Sequence, residues 1–170
     1  SNIYNVSLMA SIVAHLGEAA AELWAEGVVR NFARTPQSND TGQIRAVASG
    51  ECQIAVVNTY YLARLAASDD PADLAVAAAV GIVFPGQQGN GTHVNISGAG
   101  VVSTSPNRDN AIRFLEYLTS DRAQSLFADG NNEYPAVPSV GASSKVVTLG
   151  EFREDGLNAA ELGVHQATAI

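Results

Sequence analysis

Residues 56–65 read VVNTYYLARL, an apolar run that passes over Asn58 and Thr59 into residues of helical character. With the preceding residues it predicts a short strand over 53–58, and Thr59 offers an N-cap for the helix YYLARLAAS. A strand that opens directly into a helix is the unit of an α/β fold. The sheet holds the backbone there while it faces a crevice, which is where such folds place ligand-handling groups. Two adjacent phenols, Tyr60 and Tyr61, occupy this junction. Successive helical residues project about 100° apart, so both reach one point only from a first turn that faces a cleft. Spacing alone leaves two readings open, packing in the core and a joint ligand site.

Working upstream, Leu8, Ile12 and Leu16 recur at helical spacing, and Gly17 stands where a left-handed cap closes a helix. A second helix follows through EAAAELWAEGVVRNFA, with Leu23, Val28 and Phe32 on one face and Trp24 beside it. After the loop RTPQSND, Asn39 or Asp40 caps TGQIRAVAS, which Gly50 ends. Downstream, SDDPAD breaks the chain. The continuous apolar run LAVAAAVGIVF, residues 74–84, predicts a strand buried on both faces. PGQQGNGT is a glycine-rich loop, and HVNISGAGVV predicts a bent or crossing strand. Two helices follow over SPNRDNAIRFLEYLTS and SDRAQSLFADG, the second stopping at Gly130, and a weak amphipathic helix lies near the C-terminus.

The 170 residues suit one domain or two small lobes, and the net charge of −8 disfavours a nucleic-acid partner while fitting a cationic ligand. The longest apolar run is too short to insert across a membrane. Cys52 has no second cysteine to pair with. His15, His93 and His165 are scattered without metal-ligand spacing, so each reads as structural. Nucleophile-elbow, zinc-protease and phosphate-loop motifs are absent, QQGNGT lacking the required lysine. Asp69 and Asp70 before Pro71 read as helix punctuation in solvent, and Met9 and Trp24 as core.

A phenolate is a hard anionic oxygen donor whose proton a highly charged hard cation displaces, and Fe³⁺ is such a cation. Mg²⁺ and Ca²⁺ prefer carboxylates and carbonyls, and zinc prefers nitrogen and sulfur. An enzyme using either tyrosine as general acid would need a base in the same cleft, and no His, Lys or Glu lies near the pair in sequence.

Three segments together, SNIYNVSLMASIV, GQIRAVASGECQIA with VVNTYYLARL, and HVNISGAGVV through FADGNNEYP, resemble the periplasmic ferric-iron-binding proteins that feed bacterial ABC importers. The resemblance spans essentially the whole chain. It implies that Tyr60 and Tyr61 bind Fe³⁺ through phenolate oxygens, that Tyr4 in SNIYN supplies a third, and that Tyr117 and Tyr134 are structural. Asn58 would orient the pair by hydrogen bonding, and Arg64, one helical turn beyond Tyr60, would lower a phenol pKa. Branches with fewer tyrosines recruit a synergistic anion. The start of the helix at Asn39–Thr41 is the candidate cradle for one, but Asp40 argues against it. The implied partners are the permease and ATPase of an ABC transporter, and the implied location is the periplasm. The alternative is a solute-binding protein for another anion or a small organic ligand, with the tyrosines lining its pocket.

The implied fold is α/β, a type II-like, two-lobed periplasmic binding protein with hinge strands and its first lobe incomplete in this chain. Residues 1–90 and 142–170 would form the C-terminal lobe, and 91–141 would belong with the N-terminal lobe. The abrupt start without Met predicts a processed or excised piece, and the resemblance implies a C-terminal fragment that lacks the family's N-terminal segment. As such, it should expose apolar faces on its 107–129 helices, and a partner for Cys52 could lie in the missing part.

Overall fold

A computed structural model of the chain describes residues 2–170. Its elements are helices: α1 (Ile3–Leu16), α2 (Glu18–Arg30), α3 (Asp40–Ala48), α4 (Thr59–Ala66), α5 (Pro71–Ala78), α6 (Arg108–Leu118), α7 (Asp121–Asn131), α8 (Ser144–Val147) and α9 (Ala159–His165). Local chemistry sets many of their ends. Gly17, at φ 79°, closes α1 with its N–H on the Val13 carbonyl. Asn39, Asp70, Ser120 and Asn158 each accept a backbone N–H at the start of α3, α5, α7 and α9.

Two of the predicted ends shift. Asn58, not Thr59, is the N-cap residue of α4. The helix α7 runs through Gly130 to Asn131 and stops at Asn132, whose left-handed backbone the short amide side chain tolerates.

The predicted strands differ more. Among the described residues the only β pairing is an isolated parallel bridge, Thr92 with Glu154. Residues 53–58 and 93–102 lie outside any helix and without a ladder, so the expected hinge strands are not formed here. The run 74–84 is divided. Asp70 caps it and Pro71 stands at its first turn, so the alanine-rich half becomes α5, and only the residues beyond Ala79 are non-helical. Alanine's strong helix propensity and a good cap outweigh continuous hydrophobicity when no neighbouring strand is at hand to complete a ladder.

The chain divides into two compact units, Ser1–Pro36 with Val83–Ser97 and Phe152–Ile170, and Gln37–Ile82 with Gly98–Glu151. These borders differ from the expected division at residues 90 and 141, because the 37–82 segment clusters with 98–151 and not with the N-terminal helices.

In the first unit α1 packs against α9, burying Val6, Ala10 and Val13. The opposite edge of α1 is polar. Ser7, Ser11 and His15 follow one another at one-turn spacing. Ser7 Oγ lies 3.4 Å from His93 Nε2, and Asp155 Oδ2 takes Ser11 Oγ at 3.2 Å and His15 Nε2 at 2.7 Å. The bridge beside them is tight. Gly91 sits at φ 101°, and a Cβ there would come within 2.4 Å of the Glu154 carbonyl oxygen. Arg153 ties the glycine-rich loop down by donating to the carbonyls of Gln87 and Gly89.

In the second unit α4 is central, packed by α3, α5 and α8 around Ala63, Leu65, Ile44 and the fully buried Val146. The ion pair of Arg45 with Asp73 joins α3 to α5. Helix α6 buries none of its residues, and Phe114 and Leu126 are 58% and 63% exposed, so the expected apolar faces at 107–129 are open. On α2 the result departs from expectation. Trp24 is 40% exposed and Leu23 64%, so neither forms core, and only Ala21 is buried.

Candidate functional site

The tyrosine pair sits in the first turn of α4, where Asn58 holds an extended backbone at φ −76° and ψ 143° before the helix begins. The Asn58 carbonyl accepts the Tyr61 N–H at 3.3 Å, which starts the turn and sets both phenols on it. Their rings lie 4.4 Å apart between centroids and 35° between planes. Both side chains are half-buried. The adjacent residues are therefore brought into contact and not splayed to opposite sides.

Three neighbours shape this pair. Asp40, at the first position of α3 and only 8% exposed, accepts the Asn58 backbone N–H at 3.2 Å through Oδ1. That bond fixes the start of α4 to the start of α3. Asn58 places its side-chain Nδ2 in the interior, and its amide acts on the neighbouring Tyr60 phenol. The guanidinium of Arg64 stands 5.5 Å from the centre of the Tyr61 ring, over its face. Arg64, the expected cation beside the pair, thus lies nearer Tyr61 and is not among the groups that set Tyr60.

The Tyr60 phenol is pushed up from 10.0 to about 12. Burial is the first cause, followed by the hydroxyl and the charge of Tyr61 and by the Asp40 carboxylate, while the Asn58 amide works in the opposite direction. Without a cation, the site keeps this phenol protonated. With one, the same negative surroundings favour the cation, and the buried Asn58 amide, which already lowers the Tyr60 pKa, suits a phenolate oxygen.

Tyr4 lies in the first turn of α1, in the other compact unit, and accepts Asn2 Nδ2 at 2.6 Å on its hydroxyl. Tyr60 and Tyr61 are thus placed together by one element, while Tyr4 stands on a different one. Tyr117 is 45% exposed on α6, and Tyr134, 40% exposed beyond α7, has its phenol pushed up by burial. Among the described residues, no group of three or more His, Cys, Asp or Glu side chains could hold a metal ion.

Asp40 is the site residue that periodicity does not single out in this role. Its local signal is that of a helix start, and its contact with Asn58 spans 18 residues.

Residues 10–154 match the bacterial extracellular solute-binding proteins. The chain is 50% identical over 169 residues to iron uptake protein A1 of Synechocystis, covering 99% of this chain and 47% of that protein. Among solved structures, it resembles the Trichodesmium protein in complex with iron and citrate ligands, with a TM-score of 0.93 and 54% identity over 99% of this chain and 53% of the other. It also resembles the ferric binding protein of Campylobacter jejuni, with a TM-score of 0.93 and 38% identity over 98% of this chain and 52% of that one. The chain spans about half the length of the relatives it matches. It shares their fold.

Proposed function

The chain belongs to the bacterial extracellular solute-binding proteins, and from that premise we propose that it binds ferric iron through tyrosine phenolates and serves delivery of the ion to an ABC importer. It is a binding protein and not an enzyme. The observation that carries this reading is the contact of Tyr60 with Tyr61 at the start of α4, beside the buried Asn58 amide that favours the ionised Tyr60 phenol. Two phenols in contact, with the Asp40 carboxylate beside them, make a hard and anionic oxygen site, which selects a highly charged hard cation over Zn²⁺. The relatives named for iron uptake and ferric iron support the same choice of cargo.

Tyr4 supplies the third phenolate. Three phenolates carry the charge that neutralises one ferric ion, and binding must release the protons that the site otherwise retains. Lower pH therefore weakens binding, and reduction of the iron weakens it too, because a divalent ion attracts phenolate less. The parent protein is two-lobed and periplasmic, holds the ion in its cleft, and hands it to a permease and its ATPase.

Titration with ferric citrate under visible absorption tests the reading. A phenolate-to-iron charge-transfer band is expected in the chain, weakened in Tyr4→Phe and lost in the Tyr60→Phe, Tyr61→Phe double variant. A band that survives the double variant, or its absence both here and in a longer form of the protein, would return the tyrosines to the lining of an organic-ligand pocket.

A further inference from the structure

The first unit carries a polar cluster that the tyrosine pair does not use. Stretches far apart in the chain meet there: one edge of α1, residues 92–93 and residues 153–157. Asp155 is its centre, with a side chain only 6% exposed. Both of its carboxylate oxygens are engaged. Oδ2 takes the Ser11 hydroxyl at 3.2 Å and His15 Nε2 at 2.7 Å, and Oδ1 takes the Leu157 N–H at 3.0 Å. His93 is half-buried and places Nε2 3.4 Å from the hydroxyl of Ser7, one turn along α1 from Ser11. The same stretches make the isolated β pairing, in which Thr92 donates to the Arg153 carbonyl at 2.9 Å and Asp155 donates to the Thr92 carbonyl at 2.8 Å. Val83–Ser97 and Phe152–Ile170 are also the stretches by which the chain returns to this unit after residues 82 and 151. The bridge therefore pins two returning segments to each other, and Ser7, Ser11 and His15 pin them to α1.

The charges around His93 are few. On α1 the titratable side chains are Tyr4 and His15, residues 83–97 contribute His93 alone, residues 152–157 contribute Arg153, Glu154 and Asp155, and α9, packed on α1, contributes Glu161 and His165. The Arg153 guanidinium is turned to the carbonyls of Gln87 and Gly89. Of these groups Asp155 is the one that acts on the charge of His93, and burial outweighs it. An imidazolium there is a half-buried charge opposed by a carboxylate that Ser11, His15 and Leu157 already occupy. We propose that this cluster is an acid-released latch: with His93 neutral it fastens residues 92–93 and 153–155 to α1, and a proton on His93 loosens that fastening and opens the Thr92–Glu154 bridge while α1 stays folded. The latch is independent of the cargo that the tyrosines bind. Because the fastened state favours neutral His93, release takes up a proton and grows as pH falls from 6.5.

The test follows the chain from about pH 8 to about pH 5, the span over which histidine changes charge. Ring-proton resonances report when His93 takes its proton, and exchange protection of the Thr92 and Asp155 amides, corrected for the intrinsic rate at each pH, reports the bridge. Both amides are expected to lose protection as His93 titrates, by up to about tenfold for each pH unit below 6.5, while amides within α1 and α4 keep theirs. His93→Gln retains a side chain able to hydrogen-bond Ser7 but takes no proton, so its Thr92 and Asp155 protection should stay level across the range. Titration of His93 with both amides undisturbed would overturn the proposal. Protection lost in step with α4 would overturn it too, because that marks unfolding of the whole chain, as would an undiminished acid loss in a folded His93→Gln. Should His93→Gln fail to fold, the paired signals of the unaltered chain still decide.

Discussion

Tyr60 is the residue at which burial and charge act most plainly on chemistry. Its phenol titrates near 12 where an ordinary one titrates near 10. Folding therefore favours the protonated form, so the associated stability is intact below pH 10 and declines as pH rises from 10 through about 12. An ultraviolet titration of the metal-free chain should show one phenol ionising late, and Tyr60→Phe should remove that step. The histidines work at the other end of the scale. Burial lowers His93 below its usual 6.5, with Asp155 opposing. Its contribution to stability is thus present above pH 6.5 and is lost as pH falls from there through the folded-state value. Burial raises Asp155, but the bonds from His15, Leu157 and Ser11 outweigh it and hold the carboxyl below 3.8. Its share is present above that pH and is lost only in stronger acid. Thermal melts should record the falling midpoint below pH 6.5, and His93→Gln should flatten it. Asp155→Ala should cost about 1–3 kcal/mol at pH 7, since it strands the buried Ser11 hydroxyl and removes the charged acceptor of the Leu157 N–H.

At the scale of the element, caps and glycines make separable contributions. Asp70 accepts the Ala72 N–H at 2.8 Å, so Asp70→Ala should destabilise the chain by about 1 kcal/mol in denaturant melts. Gly17 and Gly91 both hold positive φ, but nothing lies within 4 Å of a Cβ at Gly17, whereas at Gly91 the Glu154 backbone is in the way. Gly17→Ala should cost only the strain of its positive-φ, extended-ψ backbone, a region almost confined to glycine, about 1–3 kcal/mol. Gly91→Ala should cost more than that and should break the Thr92–Glu154 bridge, which loss of amide protection at Thr92 and Asp155 would report. The helices were legible because their signals are local. Gly17, Asn39 and Ser120 each mark an end within a few residues of the chain they terminate. The strands were not, because a strand is completed by a partner, and apolar runs such as 53–58 and 93–102 do not say where that partner is.

At the scale of the whole molecule, a chain of this length leaves much apolar surface in water. Ile54 is 84% exposed and Val83 86%, and α2 and α6 each keep an open apolar face. Trp24 is the single tryptophan and stands on one of those faces, so its fluorescence reports on what α2 meets. Acrylamide should quench it efficiently in the dilute chain. If open faces associate as concentration rises, quenching should fall together with a rise in sedimenting mass, and Leu23→Lys should keep the chain monomeric by placing a charge on that face.

The sequence by itself determined most of the helices, though not α5 or α8, caps such as Asn39 and Ser120, the phenol pair at a helix start, and the resemblance that led to a ferric reading, because each is written in residues close together along the chain. The tertiary structure alone decided which groups act on those phenols. The Asp40 contact with Asn58 spans 18 residues, and the His15 contact with Asp155 spans 140. It also divided the chain into units whose borders no composition change marks, joining 37–82 to 98–151. Such contacts arise when packed elements share a core, as α4 and α8 do around Ala63 and Val146. Periodicity identifies the face a helix will bury, but the partner against that face is chosen only when the elements compete to bury it.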